Sequence, residues 1–328
     1  FVYIAQLDTA DDLYKKENWI KANPILEYDE DALENLVPVA NTARDMGGED
    51  LRDFLVKQLN MWMQWSNALY IKDIKDWKRC AALRTLKDFR GSKCYVGVDL
   101  SSGGDLTSIA IVIPYMVDGV KKYFVHTHSF IPASRVDEHI KTDKVPYDVW
   151  ISKGLVTVTE TLGGIKTDYK YIIKYLEDLI KQNDLKPQLV CYDPHNASAF
   201  LSDLEALGFD SVAITQTAKE LNDATVDFRL EIKAGNVVIE GTEVGKGKVV
   251  PFDELLTWSI ANAKTISNSY GEIKIDKALD EDRIDPIDAI IDARKAAMKE
   301  EYKPDTNEVV NEWLEMYEKY MGKGGEKE

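Results

Sequence analysis

The stretch from Cys94 to Ile131 constrains the fold of this chain more than any other part. It reads CYVGVDLSSGGDLTSIAIVIPYMVDGVKKYFVHTHSFI. Apolar residues run up to Asp99, a glycine-containing turn comes next, and a second apolar run begins after Asp105. Short apolar runs bounded by turn residues predict strands over 94–99, 107–117 and 122–131. The Asp118-Gly119 pair between the last two is a hairpin signal. Three antiparallel strands in sequence form a meander.

The chain beyond residue 131 supplies the cover. Helical spacing predicts a helix over 169–183, then a short apolar strand PQLVCYD ending on Asp193. A helix closed by Gly208, a strand SVAITQ and a helix over 218–234 come next. NVVIEG reads as a hairpin, 252–263 as a helix, and DPIDAIIDARKAAMKE as a last core helix with Pro286 in its first turn. The segment between 132 and 168 reads as irregular. A helical crossover from the third strand to the fourth makes the fourth parallel to one of the first three. This order of elements is that of an α/β ribonuclease-H-like fold, a mixed five-stranded sheet flanked by helices.

Carboxylates mark particular ends of these elements. In an open sheet, sites form beyond the carboxyl ends of parallel strands, where connections diverge. Asp99 ends the first strand and Asp193 the fourth. Val96 and Val98 share one face, so Asp99 points to the other face or off the end. Asp105 opens the second strand across a turn that Gly103 and Gly104 allow to be tight. Asp285 and Asp288 stand three apart at a helix start, and Asp292 comes one turn later on the same face. Carboxylates gathered this way repel each other unless a cation neutralises them. Oxygen ligands without His or Cys suit Mg²⁺ or Mn²⁺. Two such ions about 4 Å apart suit an in-line phosphoryl displacement. Each acid alone also has a plainer reading: a turn residue for Asp99, a helix cap for Asp285, a solvated face for Asp288 and Asp292.

Other residues stay open to two readings. His195, in YDPHNAS, is a candidate to position a phosphate or water, or a cap of the next helix together with Asn196. Lys277 is a candidate phosphate ligand or a surface lysine. The segment 70–93 is basic, with Lys78 and Arg79 among its cations, and reads as a solvated face or a DNA-facing patch. Trp62, Trp65, Trp77, Trp150 and Trp258 are expected in the core rather than as base-stacking platforms.

The totals bound the function. The chain has 328 residues and a net charge of −16, which argues against a protein that coats nucleic acid non-specifically. It leaves open a nucleic-acid enzyme with local patches. Cys80, Cys94 and Cys191 form no close pair and no metal-ligand spacing, which points to a reducing compartment. No apolar run approaches the ~18 residues of a membrane span. The first residue is Phe, and FVYIAQLD reads as a strand already under way, so the chain is expected to be part of something longer. Residues 1–90 otherwise read as mostly helical, with helices in 29–45, capped by Asp29 or Asp31, and in 48–64, capped by Asp50. MGKGGEKE at the end reads as a disordered tail.

Several stretches resemble one family, the large terminase subunit of tailed phages. FVYIAQLDTADDLYKKENWIKANPIL is similar to the end of its ATPase region, and YVGVDLSSGGDLTSIAIV to its first nuclease motif. VPYDVWISKGLVTVTETLGGIKTDY resembles the stretch between its third strand and helix. VCYDPHNAS and NSYGEIKIDKALDEDRIDPIDAIIDA resemble its second and third acidic motifs. The resemblance implies that Asp99, Asp193 and Asp285 are catalytic metal-binding acids. It makes Asp105 an accessory acid found in some members. At Asp288 many members carry an apolar residue.

The resemblance further implies an endonuclease cutting concatemeric double-stranded DNA with two Mg²⁺ or Mn²⁺ ions. The implied partners are the DNA, the small terminase subunit, the portal protein and other copies in the motor, with no membrane, in the host cytoplasm. The chain then divides into an ATPase remnant and linker (1–90), a nuclease domain (91–300) and an acidic tail (301–328). The family's ATPase needs a phosphate loop ending in Gly-Lys-Ser/Thr, and GKGKVV has neither the spacing nor the hydroxyl. No ATPase activity is therefore expected from this chain. Two other classes compete: a non-catalytic assembly module docking to portal or small subunit, and an actin-like or sugar-kinase-type ATPase half. The second lacks its second phosphate loop and its adenosine-binding glycine motif.

Overall fold

The apolar runs form a mixed sheet, and its middle strand carries the first acidic motif. The computed structural model describes residues 4–8, 11–46, 51, 53–61, 68–101, 106–160, 162–165, 167–195, 197–277 and 282–300. The sheet strands are β1 (Ala81–Ala82), β2 (Lys93–Asp99), β3 (Thr107–Val117), β4 (Val120–Pro132), β5 (Val156–Thr159), β6 (Lys186–Tyr192), β7 (Ser211–Ala213), β8 (Val237–Glu243) and β9 (Val249–Pro251). Their order is β1-β8-β4-β3-β2-β6-β7, with β5 on β4 and β9 on β8. The expected five strands lie side by side in it, from β4 to the edge strand β7. Among the described residues it has nine, because β1, β5, β8 and β9 extend it. Three of these four have only two to four residues, too short to show a period in the sequence.

The β3–β4 turn has Asp118 at φ 50° and Gly119 at φ 75°. Two positive φ angles give the hairpin turn whose twist matches the strands. Strand β2 pairs antiparallel with β3 and parallel with β6. The connections therefore diverge between β2 and β6.

Helices sort onto the two faces by strand alternation. They are α1 (Lys16–Trp19), α2 (Glu30–Met46), α3 (Ile74–Lys78), α4 (Val136–Thr142), α5 (Tyr147–Ser152), α6 (Tyr169–Asn183), α7 (Ser198–Ala206), α8 (Ala218–Ala234), α9 (Glu254–Asn262) and α10 (Asp285–Ala297). Val96, Val98, Ile109, Ile111 and Phe124 form one core with Ile172 and Leu176 of α6 and Phe200 and Leu204 of α7. Ala110, Val112, Val125 and Cys191 face the other way and pack with α8, α9 and α10. Asp168 caps α6 by accepting the Lys170 N–H, and Asp184, left-handed at φ 51°, ends it.

Three expectations need correction. The opening strand is not formed at residues 4–8, which are irregular, although the Leu7 N–H donates to the Leu59 carbonyl. A single such bond is no ladder. The segment between 132 and 168 is not irregular: it holds α4, α5 and β5. Its helices have seven and six residues, fewer than a periodic pattern needs. A two-stranded hairpin, β10 (Ala263–Ser267) with β11 (Ile273–Lys277), has no counterpart among the expected elements, because each strand has only five residues and too few apolar ones to make a run.

Asp29 caps α2 by accepting the Ala32 N–H at 2.8 Å. Of the stretch 48–64, the described part holds a short π-helical segment, Phe54–Gln58, ended by Asn60 at φ 51°. Asp50, Trp62, Trp65 and the tail 301–328 lie outside the described residues. Trp77 and Trp150 are buried, and Trp258 packs beside Trp150. Leu7, Trp19, Leu36, Phe54 and Leu59 make a separate small core, whereas Tyr70, Trp77 and Cys80 join the core of the sheet.

Candidate active site

Strand β2 brings its acid to the sheet edge beside that of β6. Val98 and Tyr192 are register partners. Asp99 and Asp193, one residue further on, therefore leave the same edge side by side, with the strands about 4.8 Å apart. Gly97 decides what covers them. A Cβ on Gly97 would lie 1.8 Å from the Ala289 carbonyl oxygen and 2.7 Å from the Ala293 nitrogen. Only glycine lets α10 approach the strand this closely. The close approach lays Asp285, Asp288 and Asp292, which share one helix face, over the edge where Asp99 and Asp193 emerge.

The electrostatics report the gathering. Burial pushes the Asp99 carboxyl well above the usual carboxylate range, and Asp285, Asp288, Asp292 and Asp193 push it further, in that order. Burial likewise raises Asp288, helped by Asp292 and Asp285 and opposed by Lys274. Asp292 is 1% exposed and is pushed up to about 8, chiefly by burial, although Gln216 Nε2 donates to both its oxygens at 3.0 and 3.1 Å. Asp285 opens α10, whose N-cap is Ile284 and makes no side-chain cap bond. The positive end of the helix dipole favours both Asp285 and Asp288 there.

Five carboxylates thus meet at one edge. Among the described residues, no three His, Cys, Asp or Glu side chains stand in ready ligating geometry. The Oδ1 atom of Asp193 accepts the His195 N–H at 3.0 Å, so it turns on its own backbone. The donor set fits a hard divalent ion: oxygen ligands only, with net negative charge raised in energy by burial.

The remaining expected residues are spread more widely. Asp105 falls outside the described residues. His195 is exposed next to Asp193. The next helix is α7, whose N-cap is Ala197 without a side-chain cap bond, and Asn196 is outside the described residues. Lys277 ends β11 opposite Ala263, and its N–H donates to Asp276. Lys78 lines a surface cleft with Lys248, Glu254 and Trp258, and none of the five acids lines that cleft. Arg79 pairs with Asp76 at 2.5 Å.

One cluster was missed by sequence. Asp143 Oδ2 accepts from Arg283 Nε at 3.2 Å and from the Tyr147 hydroxyl at 2.9 Å, and lies 3.0 Å from His139 Nδ1. Burial pushes the Asp143 carboxyl up, but the bonds from His139, Thr142, Arg283 and Tyr147 outweigh it and hold it far below the usual range. The network fixes Arg283 two residues before Asp285. The signal was a lone arginine in the acidic run DEDRID.

The family model described as "Terminase large subunit, endonuclease domain" matches residues 1–301. The chain belongs to this family. It is 27% identical over 286 residues to the terminase large subunit of Enterobacteria phage HK97, covering 87% of this chain and 51% of that protein. It is 22% identical over 216 residues to the terminase large subunit of Lactococcus phage p2, covering 66% of this chain and 37% of that one. The crystal structure of the HK97 large terminase superposes with a TM-score of 0.58 at 25% identity, over 90% of this chain and 56% of that chain. The chain thus spans about half or less of the length of these relatives. The fold is ribonuclease-H-like, as the element order indicated.

Proposed function

We propose that this chain is a metal-dependent endodeoxyribonuclease that cuts double-stranded DNA during phage genome packaging. The observation that carries the proposal is the convergence of Asp99, Asp193, Asp285, Asp288 and Asp292 at the β2/β6 edge, with three of them held at raised pKa. Asp99, Asp193 and Asp285 are the catalytic acids of this reading, with Asp105 and Asp288 as further ligands. Two Mg²⁺ or Mn²⁺ ions held there would lower the pKa of a bound water, so that its hydroxide form could attack phosphorus, and would stabilise the departing sugar oxygen. Asp99 ends β2 and Asp193 follows β6, while Asp285 and Asp288 lie in the first turn of α10, which Gly97 lets pack against β2. His195, exposed beside Asp193, meets a phosphate in this reading.

In the same reading the substrate is concatemeric DNA, and the partners are the small terminase subunit, the portal protein and further copies of the chain in the host cytoplasm. Residues 1–90 are the trailing ATPase segment and linker, 91–300 the nuclease and 301–328 the tail, with no ATP hydrolysis by this chain. No helix among the described residues is long and apolar enough to cross a membrane.

The test is plasmid cleavage by the purified chain with Mn²⁺, with Mg²⁺ and with EDTA, beside Asp99→Ala. Nicking and linearisation that need metal and vanish in the variant are expected. Cutting in EDTA, or cutting by Asp99→Ala at the wild-type rate, overturns the assignment.

A further inference from the structure

By position in the sequence, Lys277 is the lysine nearest the third acidic motif. Strand alternation favours Lys274 instead. In β11 the buried Ile275 faces the core, so Lys274 and Asp276 share the opposite face, and Lys277 lies on the core side of the strand. Lys274 Nζ donates to the Gln216 carbonyl at 3.2 Å. The side chain of the same Gln216 grips both oxygens of Asp292. One residue therefore ties the hairpin lysine to the acid on α10. Lys274 is half-buried, and its charge opposes the rise in the Asp288 carboxyl.

Lys295, a cation that acts on Asp292, is already taken: its Nζ pairs with Glu220 Oε1 at 2.5 Å. Lys274 has a neutral carbonyl as its hydrogen-bond partner, which leaves its charge available to an anion. Its charge offsets part of the repulsion that Asp288 and Asp276 would exert on an incoming phosphate.

We propose that Lys274, together with the Gln216 bond that aims it, is the residue that receives a phosphate of the DNA backbone at the acidic edge. This rests on the nuclease reading above. Without substrate, Lys274 balances Asp288. With substrate, its ammonium turns to the phosphate while Gln216 keeps Asp292 in place. Removing the lysine then affects DNA and metal in opposite directions, which a structural role does not do.

The experiment compares the wild-type chain with Lys274→Met, Lys274→Arg and Asp99→Asn. Mn²⁺ binding is followed by calorimetry. Binding of a short DNA duplex is followed in Ca²⁺ over a salt series, and single-turnover cleavage in Mn²⁺. For Lys274→Met, Mn²⁺ affinity is expected to hold or rise. Duplex affinity and cleavage should each fall roughly tenfold to a hundredfold, the scale of one charge-assisted hydrogen bond. The salt slope should shrink by about one, and Lys274→Arg should recover most of the loss. Unchanged duplex affinity and salt slope in Lys274→Met, with wild-type cleavage intact, overturns this inference and leaves the nuclease standing. A joint loss of Mn²⁺ binding and thermal stability also overturns it, because the lysine then only props Gln216. If the wild-type chain neither binds Mn²⁺ nor cuts, and Asp99→Asn matches it, the nuclease reading fails and this inference with it.

Discussion

Two groups of buried and half-buried carboxylates lie next to each other in the fold and are treated in opposite ways. Asp143 is surrounded by donors: Arg283, Tyr147, Thr142 and His139. Its charge is matched, and its pKa is held low. Asp99, Asp288 and Asp292 face mainly one another, and their pKa values are held high. The same residue type thus does two jobs. A matched carboxylate holds structure, and Asp143 steadies the residue that leads into α10. An unmatched group retains energy that a bound cation releases. The contrast is a physical ground, independent of relatives, for proposing the second group as the functional cluster.

The sharpest way to break the comparison is to neutralise one member of each group. Asp99→Asn is expected to lower cleavage roughly a thousandfold or more, the scale of losing a group that stabilises transition-state charge. Its melting temperature without metal should stay level or rise, because a repulsion is relieved. Cleavage assays beside thermal melts check both halves. Asp143→Ala should do the reverse. It removes the buried carboxylate that accepts from Arg283, Tyr147 and Thr142 and is expected to cost about 3 kcal/mol or more in denaturant unfolding. Mn²⁺ affinity should fall less than stability does.

Gly97→Ala moves one group and spares the other. The new methyl meets α10 backbone, which has to shift, at an expected cost of about 1–3 kcal/mol. The Asp143 network does not touch that contact. Mn²⁺ calorimetry should show weakened binding even at temperatures where the variant stays folded.

The smallest effect is in pH. Asp292 has a folded value raised to about 8, against about 4 in an unfolded chain. Its contribution is fully present below about 4 and is lost as pH rises through about 8. Asp99 and Asp288 act in the same direction. Asp143 has a lowered folded value, so its contribution is present above about 4 and is lost as pH falls further. Metal-free melting temperature should therefore decline by a few degrees from about pH 5 to 8, and Mn²⁺ should cancel that decline. A metal-free chain that grows more stable over this range contradicts the unmatched cluster.

Much of this was legible in the residues. The apolar run ending at Asp99, the Asp118-Gly119 turn and the α6 spacing of Ile172, Leu176, Leu179 and Ile180 each report a local preference, and each element formed where expected. The short strands β1, β5 and β9 did not show, because so few residues carry no period. The roles of Arg283 and Lys274 did not show either. Arg283 acquires its meaning from Asp143, 140 residues earlier in the chain. Lys274 acquires its meaning from the strand parity that sets it opposite Ile275.

By itself the sequence determined the order of strands and helices, the acids at their ends and the net negative charge. Those come from periodicity, turn chemistry and residue type, which are local. The tertiary structure decided which acids meet, which are matched and which lysine faces them. Those depend on parallel pairing of β2 with β6 and on the one glycine that lets α10 touch the strand, contacts between residues that lie far apart along the chain.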